Sequence, residues 1–495
     1  MTTRTGSDYY QQGLELAGAG RYEEGWNCLR EHLRDMPQDV QALNDAGAVL
    51  HCLGRTEEAI GLLTQARQLQ ADGAEIVENL VEVYLAGGRA VEAARLFDDL
   101  ERSGTLSIDV LNRTATLLLD QGNKGLALDV LLRSYRLWPE QEVLRPILDA
   151  IRGQRPKVAF FRNGTGKDGV LADICRFVLP RFPTEFYEGR DPQAVERLLR
   201  WSDIAWFDGG GDMAVAASRR IGPAKMIVSV RRSDVRDRWA KEVRWENVSV
   251  LVQMGSSAVE EILLAQVPDL RHRTRLIVVP HGVNLRRYAL RRRDRGKYLA
   301  CIGGLTTEAN PAFLLQCMQK LHYLDPGYRL SFSGTFESPL LEQYVRHMVR
   351  TLDLTGVISF EPQPGDWNAW LSDQHFIVAG GMGENQVEGL LHGMACGLKP
   401  VVHHFPGADK LLPPQYLFNI AEQFCAHVLS GDYRPPQYRR WVEERYPLEQ
   451  QWKRVEEILG QLETEIELQA AAALGRETPA VLGHLDAPVG SEVTR

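Results

Sequence analysis

The chain has 495 residues, too many for one ordinary hydrophobic core, so two or three independently packed bodies are expected. Its 44% hydrophobic and 25% charged residues are ordinary for globular protein, and a net charge of -8 gives no general pull toward nucleic acid or anionic membrane. No stretch approaches the roughly 18 apolar residues of a membrane span, and Met1 to Ser7 lacks the basic and apolar runs of a leader, so a cytoplasmic location is expected.

The first 140 residues repeat. Gly20, Gly54, Gly88 and Gly122 are spaced by 34 residues; small residues follow five positions later at Gly25, Ala59, Ala93 and Ala127, and large ones at Leu29, Leu63, Phe97 and Leu131. Pro37 and Pro139 close the first and fourth units. This is the pattern of tetratricopeptide repeats, in which a glycine ends one helix and a small residue lets the next approach closely. No single hairpin buries its own apolar face, so four units over residues 1–153, capped by the amphipathic stretch Glu142 to Ile151, should stack as an α-solenoid. Such an array holds an extended segment of a partner protein or associates with itself to give a homo-oligomer, and the sequence does not separate the two.

After Gly153 and Pro156 the texture changes. Short β-branched and aromatic runs at Lys157–Phe161, Ile204–Phe207, Met226–Val230, Val248–Val252 and Leu276–Val279 alternate with helical-period stretches. A second series follows at Tyr298–Ile302, Arg329–Phe332, Val357–Phe360, His375–Val378 and Pro400–Val402. The expectation is α/β, two Rossmann-like halves over 156–296 and 297–467, the second with a returning helix. Between them Asn284–Lys297 holds six arginines and one lysine against one aspartate; it reads as a solvated connector or as a strip that raises the potential of an interdomain cleft. Without aromatic interleaving it is a poor nucleic-acid surface. The tail, 468–495, is rich in Ala, Gly and Pro and is expected to be disordered. Seven cysteines without close pairing fit neither a disulfide framework nor a metal site, and are read as reduced.

In the second half, Gly380, Gly381, Met382, Gly383 and Glu384 follow a buried strand and open the helical stretch Asn385–Cys396, where backbone amides favour an anion. In the first half, RNGTGKDG from Arg162 and FDGGGD (Phe207–Asp212) are glycine-rich loops after strands, neither with P-loop spacing; Gly209 to Gly211, Gly210 among them, would face the cleft. Asp212 and Asp234 are the nearest acids that could orient an acceptor hydroxyl.

The run GENQVEGLLHGMACGLKPVVHHFPGADKLLP resembles the signature of the large retaining glycosyltransferase family four, and so do IVVPHGVNL (Ile277–Leu285) and GDYRPPQYRRWVEERYPLEQQ (Gly431–Gln451). The resemblance spans about 300 residues, Lys157 to Leu459. It implies the GT-B fold, a nucleotide-diphosphate sugar as donor, and no metal or permanently bound cofactor. Members carry two glutamates eight positions apart that contact the donor sugar and the ribose; Glu384 takes the first position and His392 the second. They carry Arg and Lys around the segment GGLTTEANP, Gly303 to Pro311, where this chain has Gly304 and Ala309, while Asn310 still begins a helix of the family kind. Losing two cations that meet leaving-group charge weakens transition-state stabilisation unless others substitute, and Arg231, Arg232, Arg162 and Lys167 are the candidates.

The resemblance therefore implies a retaining, hexosyltransferase-like enzyme with Glu384 and Arg231 at the chemistry and Gly303, Gly304, Asn310, Gly381, Gly383, His392, Arg232 and Gly210 around the donor. Its acceptor would be a protein held by the repeats, as in enzymes that modify bacterial surface or flagellar proteins. The alternative is a degenerate glycosyltransferase that serves as a binding scaffold.

Overall fold

A computed structural model of the chain describes residues 6–162, 170–187, 189, 191–220, 222–235, 238–255 and 258–473. The chain divides into two compact units, Met1–Arg155 with Pro180–Pro183, and Pro156–Leu179 with Thr184–Arg495.

The first unit is helical. Helices α1 (Gly6–Gly18) and α2 (Tyr22–Asp35) pack as a pair, as do α3 (Val40–Cys52) with α4 (Thr56–Leu69) and α8 (Ile108–Asp120) with α9 (Lys124–Leu137). In the third pair, α5 (Ala74–Ala86) meets a broken partner, α6 (Ala90–Ala94) and α7 (Phe97–Ser103); the break is a tightened turn in which Leu96 N–H donates to Ala93 O at 3.0 Å. Helix α10 (Leu144–Gly153) packs on α9. Gly20, Gly54, Gly88 and Gly122 make the turns inside the pairs with φ of 78°, 73°, 69° and 75°, a left-handed conformation that side chains resist. Gly25 is small for a contact reason: a Cβ there would stand 3.0 Å from Gly13 O. Leu29, Leu63, Phe97 and Leu131 fill the core between helices.

The second unit holds two parallel sheets. The first comprises β1 (Val158–Arg162), β2 (Thr184–Tyr187), β3 (Ile204–Asp208), β4 (Lys225–Val230), β5 (Val250–Gly255) and β6 (Arg275–Pro280), in the order β2-β1-β3-β4-β5-β6. The second comprises β7 (Tyr298–Ile302), β8 (Arg329–Ser333), β9 (Ile358–Glu361), β10 (Phe376–Ala379), β11 (Lys399–His403) and β12 (Leu417–Phe418), in the order β12-β11-β10-β7-β8-β9. Both are doubly wound and Rossmann-like. The strand order reverses between β1 and β3 in one and between β7 and β10 in the other, and crevices for ligands open at the carboxyl ends of strands at such points. Two strands, β2 and β12, are absent from the runs legible in the sequence, because β12 has only two residues and Thr184 and Glu185 leave β2 without an apolar run.

Strand alternation divides the second sheet's core. Leu299 and Cys301 face Leu314, Met318 and Leu321, while Ala300 and Ile302 face Leu390, Leu391 and Met394 of the helix Val387–Ala395. That helix lies unusually close to the sheet because it presents glycine twice on one face. A Cβ on Gly389 would fall 2.6 Å from Ile302 Cβ, and one on Gly393 2.7 Å from Ile377 Cβ.

The arginine-rich connector is neither merely solvated nor simply a source of cleft potential. Arg293 donates to Leu371 O and Ser372 O at 2.8 Å and to Cys396 O at 3.1 Å, and Arg295 donates to Tyr328 OH at 2.7 Å and Val428 O at 2.9 Å. Its cations saturate carbonyls where elements of the second lobe end. The chain crosses between lobes again after Tyr446, and the two crossings meet where Val283 N–H donates to Tyr446 O at 2.9 Å. The long helix Leu448–Ala473 then packs on the first lobe: Trp452 stacks on Phe177 at 5.7 Å, and Glu465 pairs with Lys225 at 3.0 Å and Arg275 at 2.8 Å. It runs six residues into the stretch assigned to the disordered tail, 468–473, and 474–495 lies outside the described residues. No described helix is long and apolar enough to cross a membrane.

The glycine pair gives a stability test. Gly389→Ala should destabilise the second unit by about 1–3 kcal/mol through overpacking against Ile302, although alanine at a helix interior ordinarily gains about 1 kcal/mol over glycine. Urea unfolding followed by tryptophan fluorescence measures it, and a stabilised variant would show that the close approach is not tight.

Candidate active site

The carboxyl ends of the central strands of the first sheet carry a row of charge on one face. Phe160, Trp206 and Ile227 are cross-strand neighbours, and two residues further along stand Arg162, Asp208 and Ser229, with Arg231 just beyond β4. Asp208 is the hub. Its Oδ1 accepts from Ser229 Oγ at 3.0 Å and lies 3.1 Å from Arg231 Nη1, while Ser229 Oγ itself accepts from Trp206 Nε1 at 3.0 Å. Arg231 N–H donates to Asp234 Oδ2 at 2.8 Å, and the Asp234 carboxylate stands 3.9 Å from the Arg231 guanidinium. Burial works against the charge on Arg231, but Asp208 and Asp234 outweigh it and raise its pKa. The guanidinium expected to serve a departing diphosphate is thus already committed to two carboxylates, and Asp234 is engaged rather than poised for a hydroxyl.

Arg232 is placed differently. It begins the short 3₁₀ turn Arg232–Val235, and a Cβ on Gly383 of the second lobe would stand 2.9 Å from its Nε. The 3₁₀ turns Arg232–Val235 and Glu384–Gln386 touch, so Arg231, Arg232, Gly383 and Glu384 gather at one place between the strand ends of the two sheets. Glycine at 383 is what lets the guanidinium in.

The helix start does not present the backbone as expected. Residues 384–386 form a 3₁₀ turn before the helix Val387–Ala395. Gly381 N–H donates to Gln386 Oε1 at 3.0 Å, and Gln386 Nε2 donates to Cys301 Sγ at 3.2 Å, so this amide serves the fold and is unavailable to an anion. Gly381 O accepts from His403 Nδ1 at 3.0 Å. Glu384 lies near the loop after β11, its Oε1 3.9 Å from where a Cβ on Gly407 would be, and raises the pKa of Tyr446 after burial has done so.

His392 is packed rather than extended toward open space. Its ring stacks on Tyr288 with centroids 4.1 Å apart and planes 16° apart. Burial, then Arg287 and His281, pushes the imidazole down to about 3; burial and Arg231 push His281 down to about 4. Both are neutral at pH 7. Glu388, one turn before His392 on the same helix, also feels Arg231: burial raises its pKa, Arg231 and Arg287 pull it back, and Asp173 adds to the rise. Asp208, His281, Arg287 and Glu388 lie inside stretches singled out in the sequence, but none was picked as a candidate, because their charged surroundings come from separate parts of the chain.

The remaining positions are dispersed around this point. Gly303 follows β7 with φ 128°, and a Cβ on it would be 3.8 Å from Gln386 Cγ. Gly304 is exposed, Asn310 takes φ 50° as the residue before the helix Pro311–Leu324, and Ala309, where the family has lysine, is 3% exposed with its N–H on Thr306. Gly210 answers a packing demand, since a Cβ there would stand 1.9 Å from the Trp239 indole, whose Nε1 donates to Asp234 O at 2.5 Å. Asp212 is exposed at the start of the helix Asp212–Ser218, and Lys167 lies outside the described residues. A cavity of about 830 Å³ lined by Leu199, Met213, Pro223 and Ile466 lies at the amino-terminal ends of β3 and β4, the far end of the sheet from these charges. Among the described residues no group of His, Cys, Asp and Glu is arranged to hold a metal ion.

Two expectations follow. A histidine whose folded pKa is depressed contributes stability above its unfolded value near 6.5 and loses it as pH falls toward the folded value. Melting of the second unit should therefore weaken between pH 6.5 and about 4, by up to about 1.4 kcal/mol per histidine for each pH unit, and His392→Phe should flatten that slope without abolishing the Tyr288 stack. In the second, Gly304→Arg should fold like the parent while Ala309→Lys loses about 1–3 kcal/mol, because only position 309 is closed to a long side chain. Equal melting temperatures for the two variants would contradict that packing.

No protein-family model matches this chain, and no curated protein matches it. Among solved structures, it is similar to a glycosyltransferase from Rickettsia africae ESF-5 with 13% identity and a TM-score of 0.47, over 62% of this chain and 99% of that one. It is similar to Anabaena HepE in complex with UDP-glucose with 12% identity and a TM-score of 0.48, over 62% of this chain and all (100%) of that one. An O-GlcNAc transferase of Thermobaculum terrenum aligns with 15% identity and a TM-score of 0.36, over 95% of this chain and 98% of that one.

Proposed function

We propose that the second unit is a retaining glycosyltransferase of the GT-B kind, with halves 156–296 and 297–467, that moves a sugar from a nucleoside diphosphate to a hydroxyl of an acceptor protein. The first unit, on this reading, is a tetratricopeptide array that holds the acceptor. Tethering both sites on one chain raises their effective concentration, so a weak grip on the acceptor suffices.

The observation that carries the reading is Arg232 lodged against Gly383, beside Glu384. A diphosphate leaving group needs positive charge where its bond breaks, and this chain lacks the two cations of the family at Gly304 and Ala309. Arg232 supplies one from the opposite lobe, while Arg231, neutralised by Asp208 and Asp234, holds that loop in place. Glu384 accepts hydrogen bonds from sugar hydroxyls. In the step itself the bond from the anomeric carbon to the diphosphate oxygen breaks, the diphosphate leaves with the electron pair, and the acceptor oxygen bonds to the anomeric carbon on the same face while its proton passes to the departing diphosphate oxygen. His392, neutral and stacked on Tyr288, is left a ribose partner of lower polarity than the family's glutamate.

Calorimetry with UDP and GDP tests this. At least one should bind, and Arg232→Ala should weaken it about 10- to 100-fold, the loss of a charge-assisted pair. Glu384→Ala should spare the free nucleotide and impair the nucleotide sugar. If neither nucleotide binds and no nucleotide sugar is hydrolysed, the reading falls. A second reading, a binding scaffold without turnover, is favoured by the neutral Gly304 and Ala309; tight binding of a nucleotide sugar with no transfer or hydrolysis would select it.

A further inference from the structure

Two guanidiniums, Arg162 at the end of β1 and Arg231 beyond β4, flank Asp208 at the end of β3, and among the described residues only Arg231 is paired, with Asp208 and with Asp234 at 3.9 Å. Asp208 is spent on Arg231 at 3.1 Å and on Ser229 at 3.0 Å. Arg162 stacks over Phe186 of β2 at 5.1 Å, and its Nε is shut off from solvent with no hydrogen-bond partner among the described residues. Among the described residues no carboxylate pairs with it. Cys175, of the helix Val170–Val178, feels both charges: burial pushes its thiol up to about 12, with Arg162 pulling against the rise and Asp208 adding to it.

A half-buried guanidinium with an idle donor is a costly arrangement in a finished fold. Its place is the crevice where the strand order of the sheet reverses, between β1 and β3, the position at which such sheets receive ligands. The Phe186 ring, 5.1 Å from the guanidinium carbon, braces the side chain, and a planar guanidinium suits the two oxygens of an oxyanion.

We propose that Arg162 is the recognition residue of an anion subsite on the first lobe, separate from the donor diphosphate, and that the acceptor therefore carries a phosphate or carboxylate beside the hydroxyl it offers. The assignment of this anion to the acceptor rests on the transferase reading given above; the subsite itself does not. Arg231 is excluded from the role by its two carboxylates, and Arg232 by its place against the second lobe.

The test is binding of inorganic phosphate and of acetate to the full chain, by calorimetry, with and without saturating UDP. Parent, Arg162→Gln and Arg162→Lys proteins are compared after thermal melts establish that each is folded. At least one anion should bind whether or not UDP is present. Arg162→Gln should lose at least 10-fold in that affinity and Arg162→Lys less, while the affinity for UDP changes by no more than about 2-fold. An Arg162→Gln protein that binds both anions like the parent overturns the proposal, as does anion binding that UDP abolishes or the absence of any anion binding to the parent. If UDP fails to bind but phosphate or acetate binds in an Arg162-dependent way, the subsite stands and the donor reading fails.

Discussion

The second unit is organised around the ion pair of Arg231 and Asp208. Asp208 is fixed from below, through Ser229 and Trp206, to the buried face of the first sheet, and Arg231 is fixed to it at 3.1 Å. The backbone of Arg231 also donates to Asp234, which closes the turn that follows, and Arg232 in that turn lies against Gly383. Paired and partly withdrawn from water, such an arginine acts as framework. The neighbour next to it in sequence, Arg232, lies instead against Gly383 of the second lobe.

The second lobe meets this arrangement through a helix pressed onto its sheet. Gly389 and Gly393 remove the spacing that side chains would impose, so the turn Glu384–Gln386 stands where the sheet ends and not a side-chain layer above it. The same closeness leaves His392 and Glu388 in a desolvated environment, where burial moves both toward their neutral forms. Positive charge in this region is therefore carried by arginines from the first lobe and the connector, and the second lobe supplies glycines, a neutral imidazole and carboxyl groups.

Much of this was legible in the sequence. The 34-residue period located the turns of the helical unit, because only glycine takes φ near 70° to 80° without strain and the period exposes it. Ten of the twelve described strands were marked by apolar runs; β12 was too short to be, and β2 opens with Thr184 and Glu185. The reading of Gly381 as an anion-facing amide was misplaced, since a glutamine five residues on satisfies it. Gly210 has its reason in Trp239, 29 positions away in sequence, and a glycine that makes room for a distant indole looks the same as one that makes room for a ligand.

By itself the sequence determined the alternation of elements, the change from helical pairs to strands and helices near residue 156, and the resemblance that singles out Glu384. These depend on local periodicity and short spacing, which a chain carries wherever its parts end up. Tertiary structure decided which arginine is spent and which is idle, that position 309 is closed to a lysine, and that Glu388 and His281 belong to the site. A charge is paired or unpaired according to what lies a few ångströms away in space, and for Arg162, Asp208 and Arg231 that neighbourhood is made by three parallel strands drawn from separate parts of the chain.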